Sequence, residues 1–352
     1  MNPPRAFVAG LHLRWHGVWQ RPQHVLTRLA RHVPVVVIEE PFAADRDRDE
    51  IKRYGELTVV RPLRTRGWST PFVDERAIAT ARAIVAPGPT GVWLYTPMML
   101  ELADAFAAAP LVFDCMDELA AFDFAPPGLA ERDRTLVERA DMVFAGGRSL
   151  YESRKGAGAK VRAFPSGVEM ERFNADVSPH PLPGELSGPV FGYVGVIDER
   201  IDIDLIVALG DAFPHGNVVL VGPVVKIDPG TLPRRANIHF TGAQPYASLP
   251  SFLHGFDVAI MPFARNRATE NISPTKTLEY FAARRPVVST GICDVVADYA
   301  DIVLIGDGPS DFIRAARTAL QRDEARLERG VAAAQRQTWD AIVGRMWTDL
   351  FG

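Results

Sequence analysis

The sequence predicts an α/β fold built twice over, as two domains that each carry a parallel sheet. Three observations lead there. Short runs rich in Val, Ile and Phe alternate with longer amphipathic or Ala-rich stretches, the pattern of parallel strands joined by helices. At 352 residues the chain exceeds what one hydrophobic core usually organises. Near its middle, residues 174–189 lose all periodicity and hold Pro179, Pro181, Pro183, Gly184 and Gly188, which stiffen and break a chain at once.

In the first half the apolar runs place strands at residues 6–9, 33–38, 57–61, 92–95, 111–114, 142–145 and 161–164, with helices notably over 21–31 and 128–140. After the break a second series follows at 190–194, 218–221, 238–241, 258–261, 287–289 and 302–305. The last stretch, 310–350, has helical apolar spacing, and Trp339 and Trp347 read as its packing residues. The domains expected are thus 1–178 and 186–330, with a terminal helix over 331–352. In open parallel sheets ligands collect at the carboxyl ends of the strands, so a cleft between two such domains is the expected site.

Composition narrows the partners. A net charge of -4 argues against nucleic acid held on a broad basic surface and points to a small molecule. Cys115 and Cys293 stand far apart without metal-spaced neighbours, so neither a disulfide framework nor a metal site is expected and a reducing cytoplasm fits. No apolar run approaches the roughly 20 residues of a spanning helix, and no signal precedes the first strand. Peripheral attachment to the inner face of a membrane stays open. Arg61, Arg64, Arg66 and Trp68, a basic stretch without acids close in sequence, suit either an anionic lipid or a solvated loop.

The most informative segment is residues 271–290, where a polar loop leads into a short helix and a buried strand. Pro274 suits the helix opening; backbone N–H groups there attract an anion, Lys276 adds a mobile positive charge, and Glu279 lies three residues on along the same face. A nucleoside diphosphate needs such groups, the carboxylate serving the ribose diol. Gly195 lets backbone approach a phosphate and Arg200 grips one in bidentate fashion, though a strand end and a surface charge would use the same residue types. In the first half, Trp15, His16 and Trp19 offer aromatic faces suited to sugar rings, whereas His24, inside a helix, reads as a structural hydrogen bonder. Asp114, Asp117 and Glu118 bring three carboxylates to a strand end, a spacing that raises a carboxyl pKa for acid–base work and equally caps the next helix. Of these, Asp117 could serve as the acid or base and Asp114 could orient the loop.

These segments resemble, in order and over nearly the whole chain, the group 1, family 4-like glycosyltransferases of GT-B fold. The residues 279–288 match that family's Glu, small-residue turn and Pro-Val-Val; many members carry a further Glu eight positions earlier, where this chain has Asn271 beside Glu270. The run 164–173 looks like the family's Pro-Asn-Gly-Val-Asp-x-x-x-Phe segment, with Ser166 in place of Asn, and 140–150 resembles the strand and helix start before it. The run 191–200 resembles the first C-terminal strand and its glycine turn, and 238–246 the strand and turn that receive a nucleobase. The Trp, Gln-Arg-Pro and His segment at 15–24 is similar to a polysaccharide-synthesis subgroup.

The resemblance implies two Rossmann-like domains facing across a cleft, the terminal helix crossing back to the first. It implies a sugar transferred from a nucleotide-sugar co-substrate, UDP-sugar favoured, to a glycan or lipid-linked acceptor, with retention of configuration. Gly17, Gly195, Arg200, Phe240, Thr241, Gly242, Asn271, Ser273, Pro274, Thr275, Lys276 and Glu279 would then bind donor, and Trp15, His16, Trp19 and Asp114 acceptor. Asp117, Arg200 and Lys276 would carry the chemistry, two cations doing a metal's task so that no cofactor is called for. A nucleotide-sugar epimerase of the same architecture and a catalytically silent sugar-nucleotide binder remain as other readings.

Overall fold

The computed structural model describes residues 2–66, 72–122, 125–156, 160–174, 176–180 and 187–352. Trp68 of the basic stretch and Pro181, Pro183 and Gly184 of the proline-rich break lie outside them. The chain forms two compact units, one of residues 1–165 and 339–352 and the other of residues 166–338.

In the first unit the strands are β1 (Ala6–Leu11), β2 (Val35–Glu39), β3 (Phe42–Ala43), β4 (Arg48–Tyr54), β5 (Leu57–Arg64), β6 (Thr90–Leu94), β7 (Leu111–Cys115), β8 (Met142–Ala145) and β9 (Val161–Ala163). Their order is β3-β5-β2-β1-β6-β7-β8-β9, all pairings parallel, with β4 added antiparallel to β5. Parallel strands need crossovers, and helices on both faces bury both sides of the sheet. Side chains therefore alternate between two cores: Phe7, Ala9 and Leu11 of β1 join one, and Val8 joins the other. The first core takes Val25, Leu26 and Leu29 from the helix Arg21–Leu29 and Trp339, Ile342, Val343, Met346 and Leu350 from the helix Trp339–Phe351. The β4–β5 pair was not visible as a pairing in the sequence, because β4 reads as charged surface and its outer residues are exposed.

The second unit holds β10 (Val190–Val194), β11 (Asn217–Val221), β12 (Ile238–Phe240), β13 (Val258–Met261), β14 (Val287–Ser289) and β15 (Leu304–Ile305) in the order β12-β11-β10-β13-β14-β15, all parallel. The connections run to one side from β10 to β12 and then return to the other side at β13. The reversal of direction between β10 and β13 makes that edge the topological switch point, the place where an open sheet leaves a crevice.

The unit boundaries differ from those expected. The first falls at Pro165–Ser166, ahead of the proline-rich break, because Val168 and Phe173 are buried in the second unit's core. The terminal helical stretch is three helices, Gly308–Ala319, Glu324–Arg336 and Trp339–Phe351. Arg322 breaks the first at a φ of 49°, and Asp323 caps the second by accepting from the Arg326 N–H. The middle helix packs on Lys276–Ala282 within the second unit, Gly330 meeting the Phe281 ring, so only residues from Trp339 onward join the first. No helix among the described residues is long and apolar enough to cross a membrane.

One buried ion pair fastens the first sheet to the helix Arg21–Leu29. The Arg21 Nε donates to Asp114 Oδ1 at 2.8 Å and its Nη1 to the Phe164 carbonyl at 2.7 Å, while Trp93 Nε1 donates to Asp114 Oδ2 at 3.3 Å. Arg21 and Asp114 are 2% and 0% exposed, so neither charge has solvent as an alternative partner. Removing one member strands the other in the core, at a cost of about 3–5 kcal/mol. Asp114→Ala is expected to lose that much in urea unfolding followed by tryptophan fluorescence, and Arg21→Leu/Asp114→Leu to lose less; a midpoint unchanged in Asp114→Ala would exclude the pair as an anchor.

Candidate functional site

At the carboxyl edge of the second sheet the loops after β10, β11 and β12 lie one upon another. The Gly195 N–H donates to the Val221 carbonyl at 2.8 Å, and the Gly222 N–H donates to the Gly242 carbonyl at 3.0 Å. Gly195 has φ 149° and Gly222 φ 150°, and a Cβ on Gly222 would stand 1.9 Å from the Gly195 carbonyl oxygen. Only glycine satisfies both the dihedral and the contact.

Over Gly195 lies Lys276, the first residue of the helix Lys276–Ala282. A Cβ on Gly195 would fall 2.1 Å from the Lys276 Cε and 2.6 Å from its Nζ. The ammonium also stands 5.5 Å from the centroid of the Tyr193 ring, within cation–π range. Helical spacing brings Glu279 to the same side as Lys276, and the carboxyl is buried. Burial pushes it up to about 7; Lys276 opposes the rise and Glu169 adds to it. Glu169 in turn holds Arg172 at 2.8 Å and meets the Tyr246 hydroxyl, whose ring packs edge-on to Phe173. Glu169 escapes the sequence reading: the segment 164–173 is recognisable, but as an exit from the first domain and not as part of the second.

Arg200 is fastened by its own loop. Its Nη2 meets Asp198 Oδ2 at 2.7 Å and its Nε meets Oδ1 at 3.0 Å, while its carbonyl accepts from the Ala264 N–H at 2.8 Å. Asp198 is 2% exposed, so Arg200 is anchored on a buried carboxylate. Asn271, Ser273, Pro274 and Thr275 form the half-buried loop before Lys276. Pro274 precedes the helix rather than opening it, its carbonyl accepting from the Thr277 N–H at 3.2 Å. At the end of β12, Phe240 is half-buried; the Thr241 N–H donates to the Leu220 carbonyl at 3.0 Å and its carbonyl accepts from Gln244 at 3.1 Å. With Gly242 already accepting from Gly222, much of this turn's backbone is engaged within the unit.

The first unit sorts its expected residues differently. Asp114 is wholly buried on Arg21 and Trp93, so it anchors the fold and has no surface to offer an acceptor. Trp15 is 4% exposed and belongs to the core, which withdraws its ring from the expected wall. His16 is exposed and shares a 2.8 Å hydrogen bond with the Tyr54 hydroxyl. Trp19 is half-buried, with its Nε1 3.3 Å from His24 Nδ1, and His24 stacks on Trp339 at 4.7 Å. Gly17 closes a turn by donating to the Arg14 carbonyl at 2.9 Å. Asp117 lies half-buried in the loop after β7, its carbonyl accepting from the Cys115 thiol at 3.5 Å. Its neighbour Glu118 is committed to the buried Arg154 at 2.8 Å.

Two cations of the basic stretch are also neutralised: Arg61 meets Glu39 at 2.7 Å, and Arg64 meets Asp49 at 2.8 Å and Asp74 besides. These acids are remote in sequence, which is why the stretch read as unopposed. Glu39 ends β2, fully buried, and Glu40 beside it is pushed up to about 7 by burial, opposed by Arg14 and reinforced by Glu39.

Known proteins share this fold, and one family matches much of the second unit. Residues 188–322 match the family model described as glycosyl transferases group 1. Two parallel-sheet units of this kind also make up a sucrose-phosphate synthase from Thermosynechococcus elongatus (TM-score 0.73, 15% identity, 98% of this chain and 99% of that one). A UDP-forming α,α-trehalose-phosphate synthase from Burkholderia vietnamiensis is similar in the same way (TM-score 0.71, 14% identity, 98% of each chain). The chain as a whole shares the GT-B fold of these two synthases, and its second unit is similar to glycosyl transferases group 1. Among curated relatives it is similar to the putative teichuronic acid biosynthesis glycosyltransferase TuaH of Bacillus subtilis (strain 168), 25% identical over 297 residues that span 78% of this chain and 74% of that protein.

Glu279 gives a testable pH signature. Its folded pKa of about 7 stands above the ordinary 4.5, so between those values the folded chain binds the extra proton. Stability is then greatest at the acid end of that window and falls as pH rises, by at most ~1.4 kcal/mol per pH unit for one group. Glu40 acts in the same direction. Calorimetric midpoints are expected to fall from pH 5 to pH 8 in the wild type and less steeply in Glu279→Gln. An identical slope in the variant would contradict the assignment.

Proposed function

We propose that the protein transfers a hexosyl group from a nucleoside-diphosphate sugar, UDP-sugar favoured, to a glycan or lipid-linked acceptor during synthesis of a bacterial cell-surface polysaccharide. The observation that carries this reading is the Lys276 ammonium set over Gly195 at the carboxyl edge, with the buried Glu279 three residues along the same helix. A diphosphate needs close backbone approach and a positive charge, and a ribose needs a carboxylate to receive its two hydroxyls; both demands are met by residues of one unit. Lys276 and Arg200 neutralise the charge that develops on the departing diphosphate, the main source of rate in this scheme, and no metal ion is required. Gly195, Phe240, Thr241, Gly242 and the loop 271–275 enclose the nucleotide.

The first unit supplies the acceptor side through the loop after β1, where Gly17, His16 and Trp19 stay at or near the surface, and through Asp117, which acts on the reacting hydroxyl. Transfer proceeds with retention. The similarity to a putative teichuronic acid biosynthesis glycosyltransferase supports an acidic glycan as product, and action at the inner face of the cell membrane is part of the same proposal.

A thermal-shift titration with UDP, GDP, ADP and TDP tests the donor site, since a ligand that binds only the folded state raises the midpoint. One nucleotide is expected to shift it by several degrees, and Gly195→Ala, which drives a methyl into Lys276, to abolish the shift. In a coupled assay for released nucleoside diphosphate, Lys276→Ala is expected to lower kcat by about 10²–10³-fold. Failure of all four nucleotides to shift the wild type would overturn the reading.

A further inference from the structure

We propose that the outer edge of β4 binds a second copy of this chain, the two strands pairing antiparallel about a two-fold axis at Ile51 so that the two sheets become continuous. β4 closes the sheet of the first unit; its inner side is bonded to β5, and among the described residues no strand pairs its outer side. An edge of that kind presents a row of N–H and C=O groups to which another strand can add. Ile51 lies at its middle and is 48% exposed, although its side chain is apolar.

The pairings of β5 decide which groups of β4 face outward. The Glu56 carbonyl accepts from the Val35 N–H at 2.9 Å, and the Arg64 carbonyl accepts from the Ala44 N–H at 2.9 Å. Even-numbered residues along β5 therefore turn their backbone groups toward β2 and β3, and the odd-numbered ones turn theirs toward β4. Leu57, Val59, Arg61 and Leu63 stand opposite Tyr54, Lys52, Glu50 and Arg48. Asp49, Ile51 and Arg53 are left with N–H and C=O groups pointing away from the sheet. An added antiparallel strand must set odd residues against odd ones, each such pair exchanging two hydrogen bonds.

Charge selects the partner and the register. With Ile51 opposite its own copy, Glu50 stands across from Lys52 and Asp49 across from Arg53, and symmetry makes each pairing twice. Opposite charges in facing positions favour a strand pair, and like charges oppose it. Moving the axis to Lys52 sets Lys52 against Lys52, and moving it to Glu50 sets Glu50 against Glu50 and Arg48 against Lys52. Charges on an edge strand ordinarily keep copies apart. Here their sign changes across Ile51, so an antiparallel copy meets attraction along the whole strand. Glu50 has capacity to spare, since it meets Arg48 only at 3.6 Å and Arg61 at 3.9 Å. Asp49 is already held by Arg64 and Thr80, and adds its field to the pairing rather than a new hydrogen bond. Tyr54 shares a hydrogen bond with His16, so the interface also borders the loop after β1.

Sedimentation equilibrium of the full chain across the micromolar range is expected to show monomer and dimer in exchange. Ile51→Pro deletes one outward N–H, a change that an edge strand tolerates, and is expected to raise the dimer dissociation constant at least tenfold with circular dichroism unchanged. Ile51→Lys, which sets like charges on the axis, carries the same expectation should the proline variant fail to fold. Glu50→Lys and Lys52→Glu are each expected to weaken the dimer at least tenfold, and the double exchange Glu50→Lys/Lys52→Glu to return it to within threefold of wild type. A wild type that stays monomeric throughout, a dimer that the Ile51 variants leave intact, or a double exchange no tighter than the single ones would overturn the assignment.

Discussion

The second unit depends on one close approach between backbones. The Gly195 carbonyl oxygen occupies the space a side chain on Gly222 would need, and that contact sets how far the loop after β10 can sink toward the sheet. Because Gly195 is sunk there, Lys276 can cross above it; because Lys276 begins its helix at that point, Glu279 arrives on the same side one turn later. Two glycines at φ near 150° thus fix the positions of a cation and a carboxylate that lie far from them in sequence. In the first unit a buried charge pair does the fastening, with Arg21 joining a helix start to the end of β7 through Asp114.

Much of this was legible in the sequence, for physical reasons that also mark where legibility ended. Parallel strands buried on both faces announce themselves as near-continuous apolar runs, and the expected strands correspond to β1, β2 and β5 to β15 within a few residues. β4 did not, since an antiparallel edge strand with one exposed face and a charged sequence carries no such mark. Lys276 and Glu279 were legible because they sit three residues apart on one helix, so local geometry brings them together.

Pairings across long sequence distances were not. Asp114 was read as an acceptor-side residue from its position at a strand end, and only the fold shows Arg21 and Trp93 consuming both its oxygens. Trp15 followed the same course: aromatic residues suit sugar rings and protein cores equally, and sequence does not say which. Glu39 and Glu40, Glu118 with Arg154, and Glu169 beside Tyr246 are likewise made by tertiary contact. Glu169 lies in a motif visible in the sequence, but proline content points to a boundary beyond it, whereas the burial of Val168 and Phe173 puts that motif in the second unit.

The helix Trp339–Phe351 has a consequence for how the protein comes into being. It supplies five buried side chains to the core that β1 begins, and Trp339 stacks on His24. A ribosome makes those residues only after every residue of the second unit has been made. The nascent first unit therefore waits with an open apolar face while its neighbour, whose strands and helices are contiguous in the chain, can close as soon as it emerges. Synthesis order and completion order are inverted, and a transcript cut short in its last codons would leave the early-made unit unfinished and the late-made one whole.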